Sequence, residues 1–436
     1  MTLPKDKALL TGAILSLIIF IYKLAFIHIT LPLDDEIYYY LWSKRPDFGY
    51  PEHGPFLPWI YWALSPLLSG SPSSIRIVSL LGVLLLSIVS FNFFDQRYGR
   101  PTAWISFILL NLTPSAFTLS LVSTIDTPMF VLGFFALIFY YRGLFEERYY
   151  LYAGGFFLGV AALSKVSAVF LGFGILAFMI TSEERKSYLS NIHLWLSLCL
   201  AAMIYSPFLI WNYHNGFPFL VHAQMVLSRK GDIFSFFEFW LAQAGLIFPT
   251  FFYLMLQAWK QSLSHYLRTK EKEDILFFVC ISTVSLIYIF YKSITSKLEA
   301  NWGGFAYISL FFLFIIHAGK LWEHQRFRKI FGNSILICAT LIVLIMTHVL
   351  SPIFPHHPND ITHRFHIFKP LAVDLKEFYH SHLNPNIRFV SFNNYQIPTV
   401  LEYFIKPNTD NEMHEYWVSE RLNWYEKIGI HSENLH

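Results

Sequence analysis

Long apolar stretches recur along the chain, separated by short polar breaks. Eleven read as membrane-crossing segments: 8–28, 72–93, 102–121, 124–142, 149–163, 166–181, 192–211, 234–258, 274–292, 301–318 and 332–350. Most have the length that carries a helix across a hydrocarbon layer of roughly 30 Å. Segments 149–163 and 166–181 are short and share a hairpin at Ser164-Lys165. Another apolar stretch, 55–69, is broken by Pro55, Pro58 and Pro66 and closed by Gly70, so it predicts a membrane-surface helix. Residues 1–350 are thus expected to form an all-α polytopic membrane bundle of about eleven spans, with surface helices in a first outer loop, 29–71.

Composition agrees. Of 436 residues, 55% are hydrophobic and 14% charged, against about 25% charged in soluble domains. A net charge of +3 gives no electrostatic footprint for nucleic acid. Cys199, Cys280 and Cys338 lie inside apolar runs, with neither metal-type spacing nor a disulfide framework. The start, "MTLPKDKALLTGAILSLIIF", has basic residues before a long apolar run and no small-residue cleavage site, which reads as an uncleaved first span. Lysine and arginine concentrate in "KQSLSHYLRTKEKED" and "KLWEHQRFRK". The positive-inside rule places those loops in the cytoplasm, and loop 29–71 and the tail on the outer face.

The tail, 351–436, is more polar and holds half of the histidines, among them 356, 357, 363, 366, 380 and 382. "LAVDLKEFYHSH" has helical periodicity, "IRFVSFNN" reads as a strand and "PTVLEYFI" as a helix. A small α/β domain on the outer face is expected.

Ionisable residues gather at that face. Asp34, Asp35 and Glu36 precede an aromatic run, Tyr38 to Tyr40 and Trp42. On a helix over 35–44, Asp35, Tyr38, Tyr39 and Trp42 share one side, leaving Ile37 and Leu41 to face lipid. A plain reading is an N-cap with an interfacial aromatic belt, yet three acids exceed what a cap needs. Glu52-His53 lies in a Pro- and Gly-rich turn, and Asp126 in "STIDTPMF" starts a span. Lys165, Arg229, Lys230 and Lys297 are the outer cations; snorkelling is their ordinary role. Carboxylates and cations gathered at one cavity also suit activation of a hydroxyl, metal binding, or the holding of a phosphate.

These segments resemble a known family. "DEIYYYLWSKRPDFGYPEHGP" is similar to the signature of bacterial GT-C membrane glycosyltransferases, related to protein O-mannosyltransferases and the lipid A aminoarabinose transferase. "STIDTP", "GVAALSKVSAVFL", "SPFLIWNYHNGFPFL", "EANWGGFAYISL", "NNYQIPTVLEYFI" and "RLNWYE" follow in the family's order. The resemblance implies transfer of a sugar from a polyprenyl-phosphate carrier to lipid A or its core, a surface glycan or a protein. It implies the cytoplasmic (inner) membrane, with the site on its periplasmic or extracellular face. Asp35 matches the proposed catalytic acid, with Glu36 beside it and Asp126 as a second acid. Lys165, Arg229 and Lys297 resemble donor-phosphate contacts. Glu52 and His222 resemble a pair that can hold a divalent metal ion. His53, Tyr39 and Trp42 are candidate acceptor or sugar contacts. The usual "DHPP" is here "EHGP": Glu52 is longer than Asp, and Gly54 is expected to loosen the turn. The competing readings are a transporter of a lipid-linked or small solute, which mid-membrane charges and an inverted repeat would favour, and a non-catalytic scaffold with a sensing tail.

Overall fold

The computed structural model describes residues 3–68 and 70–352, and beyond them 354, 360, 362–367, 370, 373, 374, 377, 390–392, 399, 403 and 417–419. Its helices, in chain order, are α1 (Lys7–Ile29), α2 (Asp34–Trp42), α3 (Phe56–Ala63), α4 (Pro72–Tyr98), α5 (Arg100–Leu112), α6 (Pro114–Leu121), α7 (Asp126–Phe145), α8 (Tyr150–Ser164), α9 (Val169–Thr181), α10 (Arg185–Ser190), α11 (Ile192–His214), α12 (Pro218–Leu227), α13 (Ile233–Ile247), α14 (Pro249–Thr269), α15 (Glu273–Thr295), α16 (Gly304–Leu321) and α17 (Gln325–Leu350). Short 3₁₀ turns, Val166–Ala168 and Ala300–Gly303, lead into α9 and α16.

Local chemistry sets the ends. The Asp6 side chain accepts the Ala8 and Leu9 amides at the start of α1, and Ser71 accepts the Ser74 amide before α4, whose first residue is Pro72. Both are ordinary N-caps. Among the described residues, seven helices are long and apolar enough to cross a membrane, and up to nine if each bent pair counts as one span. α1, α7 and α15 are among them; the 23 residues of α15 rise roughly 34 Å. α8 and residues 166–181 are shorter apolar helices. All eleven expected segments are helical, but two of them are not straight. α5 and α6 meet at 61° where Pro114 lacks the amide to continue the ladder.

The second break corrects the expected span 234–258. α13 and α14 meet at 99°, at Phe248 (φ 82) and Pro249. α14 runs antiparallel to α15, with Trp259 bonded to Thr283 and Tyr266 to Glu273. α13 turns away at the other end of α15, where Gln243 donates to the Ala300 carbonyl. It therefore lies across the end of the bundle that carries the acids.

α2 and α3 form at that same end, as expected. Ile37 does not face lipid: it is fully buried and packs against Leu41, Ile367 and Tyr403. The tail covers the face that the sequence pattern assigned to the membrane. Of the expected tail elements, "IRFVSFNN" contains β1 (Val390–Phe392), paired in parallel with β2 (Trp417–Ser419). Most of the two expected tail helices, "RLNWYE" and His356, His357, His380 and His382 lie outside the described residues.

Candidate active site

Three consecutive acids open α2, where negative charge suits the helix N-terminus, and the helix sends them to different places. Glu36 is fully buried. Its Oε2 accepts Arg76 Nη2 at 2.6 Å and the Leu33 amide at 2.8 Å; its Oε1 accepts Arg76 Nε at 2.9 Å and the Ser123 amide at 2.8 Å. Arg76, also fully buried, donates further to Thr30 Oγ1 and the Leu31 carbonyl. Tyr61 and Ser79 close the cluster on Ser123 Oγ. The expectation that Glu36 is catalytic is corrected: both oxygens are committed to protein donors, and no solvent reaches them. It is a clamp joining α1, α2, α4 and the turn before α7.

Asp35 is the partly exposed acid, with a side chain 33% exposed. Its Oδ2 accepts from Arg364 Nη2 at 3.2 Å, and the same nitrogen is bonded to Asp34 Oδ1. Asp34 is fully buried. Burial, and then the charge of Asp35, push its carboxyl above the usual range, with Arg364 opposing.

Asp126 is the first residue of α7 and 8% exposed. Its Oδ1 accepts Lys165 Nζ at 2.7 Å and its Oδ2 accepts Asn301 Nδ2 at 3.1 Å. Ser164 donates to the Ile125 carbonyl, fixing the α8 end against the start of α7. Two residues expected in different roles, a second acid and a phosphate contact, are thus an ion pair. The Ser123 amide, three residues before Asp126, is held by Glu36, one residue after Asp35. One clamp therefore ties both carboxylate centres together.

The other cations sit apart from this pair. Lys230 and Ser296 form an antiparallel bridge, and the Lys297 amide donates to the Arg229 carbonyl. Arg229 pairs with Glu299 at 3.5 Å and Lys297 with Glu238 at 3.9 Å, all with side chains more than half exposed. Four residues beyond Lys297, Asn301 reaches Asp126.

The expected sugar-contact aromatics are largely core. Trp42 is 7% exposed and stacks on Tyr50 at 4.2 Å; Tyr39 is 7% exposed and packs on Trp42. Their ring faces are occupied, so neither offers an open stacking platform. His53 is half-buried, 6.1 Å from the Tyr39 ring. Gly54 does not loosen its turn: a Cβ there would fall 1.9 Å from the Leu163 carbonyl oxygen. The "EHGP" turn needs glycine because it lies directly on α8, two residues before Lys165.

Glu52 is buried and accepts a 3.4 Å bond from Tyr38, and His222 lies half-buried on α12. Among the described residues, no three His, Cys, Asp or Glu side chains converge to hold a metal ion. The donor set does not fit the expected metal, and no step is routed through one.

Arg76, Arg364 and Asn301 were absent from the sequence-based site, and Asp34 was passed over for Asp35. Arg76 carried a signal, being an arginine inside an expected span. Asn301 lies in the quoted "EANWGG". Arg364, in the tail, carried none.

The fold is shared with solved structures. ArnT from Cupriavidus metallidurans superposes with a TM-score of 0.65 at 16% identity, covering 90% of this chain and 84% of that one. The chain has the GT-C fold. The ArnT structure bound to undecaprenyl phosphate matches at 0.61. The Archaeoglobus fulgidus oligosaccharyltransferase matches at 0.55 and 14% identity, covering 95% of this chain and 62% of that one. The Dolichyl-phosphate-mannose-protein mannosyltransferase family pattern matches residues 52–211, from Glu52 through α11. Lipid A galacturonosyltransferase RgtD of Rhizobium johnstonii is 27% identical over 285 residues, 63% of this chain. That match spans 58% of the relative, less than two thirds of its length. A 35-residue stretch is 49% identical to glycine–tRNA ligase of Thermobifida fusca, 8% of each chain, too short to show a shared fold.

Proposed function

We propose that this multi-pass membrane protein moves a sugar from a polyprenyl-phosphate carrier to a hydroxyl on lipid A or a related glycan, at the periplasmic face of the inner membrane. One observation carries the reading: two carboxylate centres, Asp35 and Asp126, are tied to one buried clamp, and the second already holds a lysine. The fold of ArnT, solved with undecaprenyl phosphate, and the similarity to a lipid A galacturonosyltransferase support the donor and acceptor classes. That relative transfers galacturonic acid by name, which favours a six-carbon sugar.

In the reaction, the acceptor oxygen bonds to the anomeric carbon. The bond from that carbon to the phosphate oxygen breaks, and its electron pair leaves with the phosphate. The hydroxyl proton passes to Asp35, the exposed acid of the three. Positive charge grows on the sugar as the bond to phosphate breaks, and Asp126 offsets it. Lys165, held at Asp126, offsets the charge growing on the phosphate. Arg229 and Lys297 attract the anionic donor at the surface. The described tail residues Arg364, Ile367 and Tyr403 lie on the acid-bearing end. Mid-membrane alternating access has no support in a site whose carboxylates gather at one end of the bundle.

The test is mass spectrometry of lipid A and lipid-linked glycans from cells with and without the gene, alongside cells carrying Asp35→Asn. Loss of one sugar addition in both the null and the variant is expected. An unchanged glycan profile in the null sinks the reading.

A further inference from the structure

The tail does more than cover Ile37. Residues 360–367 are anchored from several sides. Asp360 pairs with His348 near the end of α17 at 2.8 Å and accepts the Thr362 amide and hydroxyl. The Phe365 ring meets Phe26 of α1 edge-on at 6.1 Å, and the Arg76 guanidinium lies over it at 5.6 Å. Ile367 packs on Ile37 beside Tyr403, whose hydroxyl donates to the Gly70 carbonyl at 2.7 Å. Between these anchors, Arg364 reaches Asp34 and Asp35.

The contact is lopsided in a useful way. One nitrogen, Nη2, serves both carboxylates, so the guanidinium bridges the pair instead of gripping either in a two-point fork. Asp34 Oδ2 has no hydrogen-bond partner among the described residues, so the buried member of the pair is held at one oxygen only. Asp35, the exposed member, is restrained at Oδ2 by the long 3.2 Å bond. A carboxylate beside an anchored cation keeps its direction toward that cation.

We propose that Arg364 is a positioning residue: the tail completes the active site by aiming the Asp35 carboxylate from the Asp34–Arg364 bridge. The inference rests on the transferase reading for its kinetics and on geometry alone for the contact. Asp35 then cannot work at full rate without the tail arginine, although that arginine comes from a segment 329 residues away. Because the arginine acts on the base and not on the donor, its loss slows the chemical step more than it weakens donor binding.

The experiment uses the full-length protein in lipid nanodiscs, as wild type, Arg364→Gln and Arg364→Lys, with a polyprenyl-phosphate sugar as donor. Arg364→Gln is expected to lower kcat about tenfold or more with donor KM changed less than about threefold, and with Tm near wild type. Arg364→Lys, or guanidinium added to an Arg364→Ala variant, recovers part of the rate. Activity of Arg364→Gln within twofold of wild type overturns the proposal. So does a loss that follows Tm and that neither Lys nor guanidinium restores. Carbodiimide labelling of Asp35, mapped by peptide mass spectrometry, needs no assumption about the reaction. Faster labelling of Asp35 in Arg364→Gln is expected, and an unchanged rate overturns the contact. Faster labelling together with an inactive wild type sinks the transferase reading and leaves the contact standing.

Discussion

Two acid–arginine pairs lie one residue apart on α2 and differ in almost everything else. Glu36–Arg76 is sealed, with side chains 0% exposed and every carboxylate oxygen bonded more than once. Asp35–Arg364 is open, at 33% and 42%, through a single longer bond. The first pair cannot exchange partners without leaving a buried charge bare; the second is partly solvated and can. Charge at a membrane surface therefore says little about role until the number of satisfied oxygens is counted. The sharpest break of this comparison is Arg76→Met. It strands Glu36 inside the protein, a loss of about 3–5 kcal/mol for a buried pair cut on one side. A large fall in Tm in detergent is expected, and replacing Glu36 as well, by Gln, restores part of it. A Tm unchanged in Arg76→Met would show that the clamp does not hold these elements together.

Asp35→Asn is the mirror case. Here the fold should survive, because the side chain is partly solvated and its replacement keeps the shape. Transfer should fall by roughly 10²–10⁴-fold if this carboxylate takes the proton. Single-turnover assays with a saturating donor measure it; retention of full activity removes Asp35 as the base. Lys165→Met lies between the two. It leaves Asp126 with Asn301 alone and takes a cation from the leaving phosphate, so both kcat and Tm should drop, the first by about 10²-fold. A fall in Tm with no change in kcat would make this pair structural, like Glu36–Arg76.

Much of this could be read from the chain, for a physical reason. Apolar run length fixes helices, and all eleven expected segments are helical because the spacing of apolar residues is a local property. Proline positions set 55–69 apart from the spans, and α3 lies within that stretch; the α5–α6 bend at Pro114 was not anticipated. The 99° turn at Phe248-Pro249 was not anticipated, because hydropathy is continuous through it and the positive φ of Phe248 before Pro249 is a tertiary outcome. Asp35 and Asp126 were singled out in the sequence because acids are costly at that depth. Their partners were not, since Arg364 and Asn301 come from distant segments whose approach is tertiary. Gly54 was misread for the same reason: its turn looks loose until α8 is seen packed on it.

The acidity of Asp34 gives a gentler test. Burial and the neighbouring charge raise the Asp34 carboxyl, so its neutral form is favoured in the folded protein. For an acid raised on folding, the stabilising contribution is fully present below the unfolded value of about 3.9 and is lost as pH rises through the folded value. Asp34→Asn should therefore gain Tm relative to wild type as pH climbs above 4, with the difference flattening once the raised value is passed. Thermal scans of both proteins across that range, at constant ionic strength, check it. A difference that shrinks with rising pH would mean that Arg364 outweighs burial and holds Asp34 charged.

The smallest effects belong to Arg229 and Lys297. Their partners are exposed and their ion pairs long, so removing either should change stability by about 0–1 kcal/mol. If they only draw the anionic donor to the surface, Arg229→Gln and Lys297→Gln raise donor KM a few-fold and leave kcat alone. That rise should vanish in high salt, where the Debye length shrinks to roughly 3 Å at 1 M. Donor KM measured at low and high salt for the double variant decides between two arrangements. A salt-sensitive KM with constant kcat keeps these cations as an outer guide. A tenfold fall in kcat that salt does not alter would bring them into contact with the reacting phosphate, carried there by the backbone that leads from Lys297 to Asn301. The open and closed pairs on α2 would then have a counterpart on the cation side, with Lys165 no longer the only lysine acting at the phosphate.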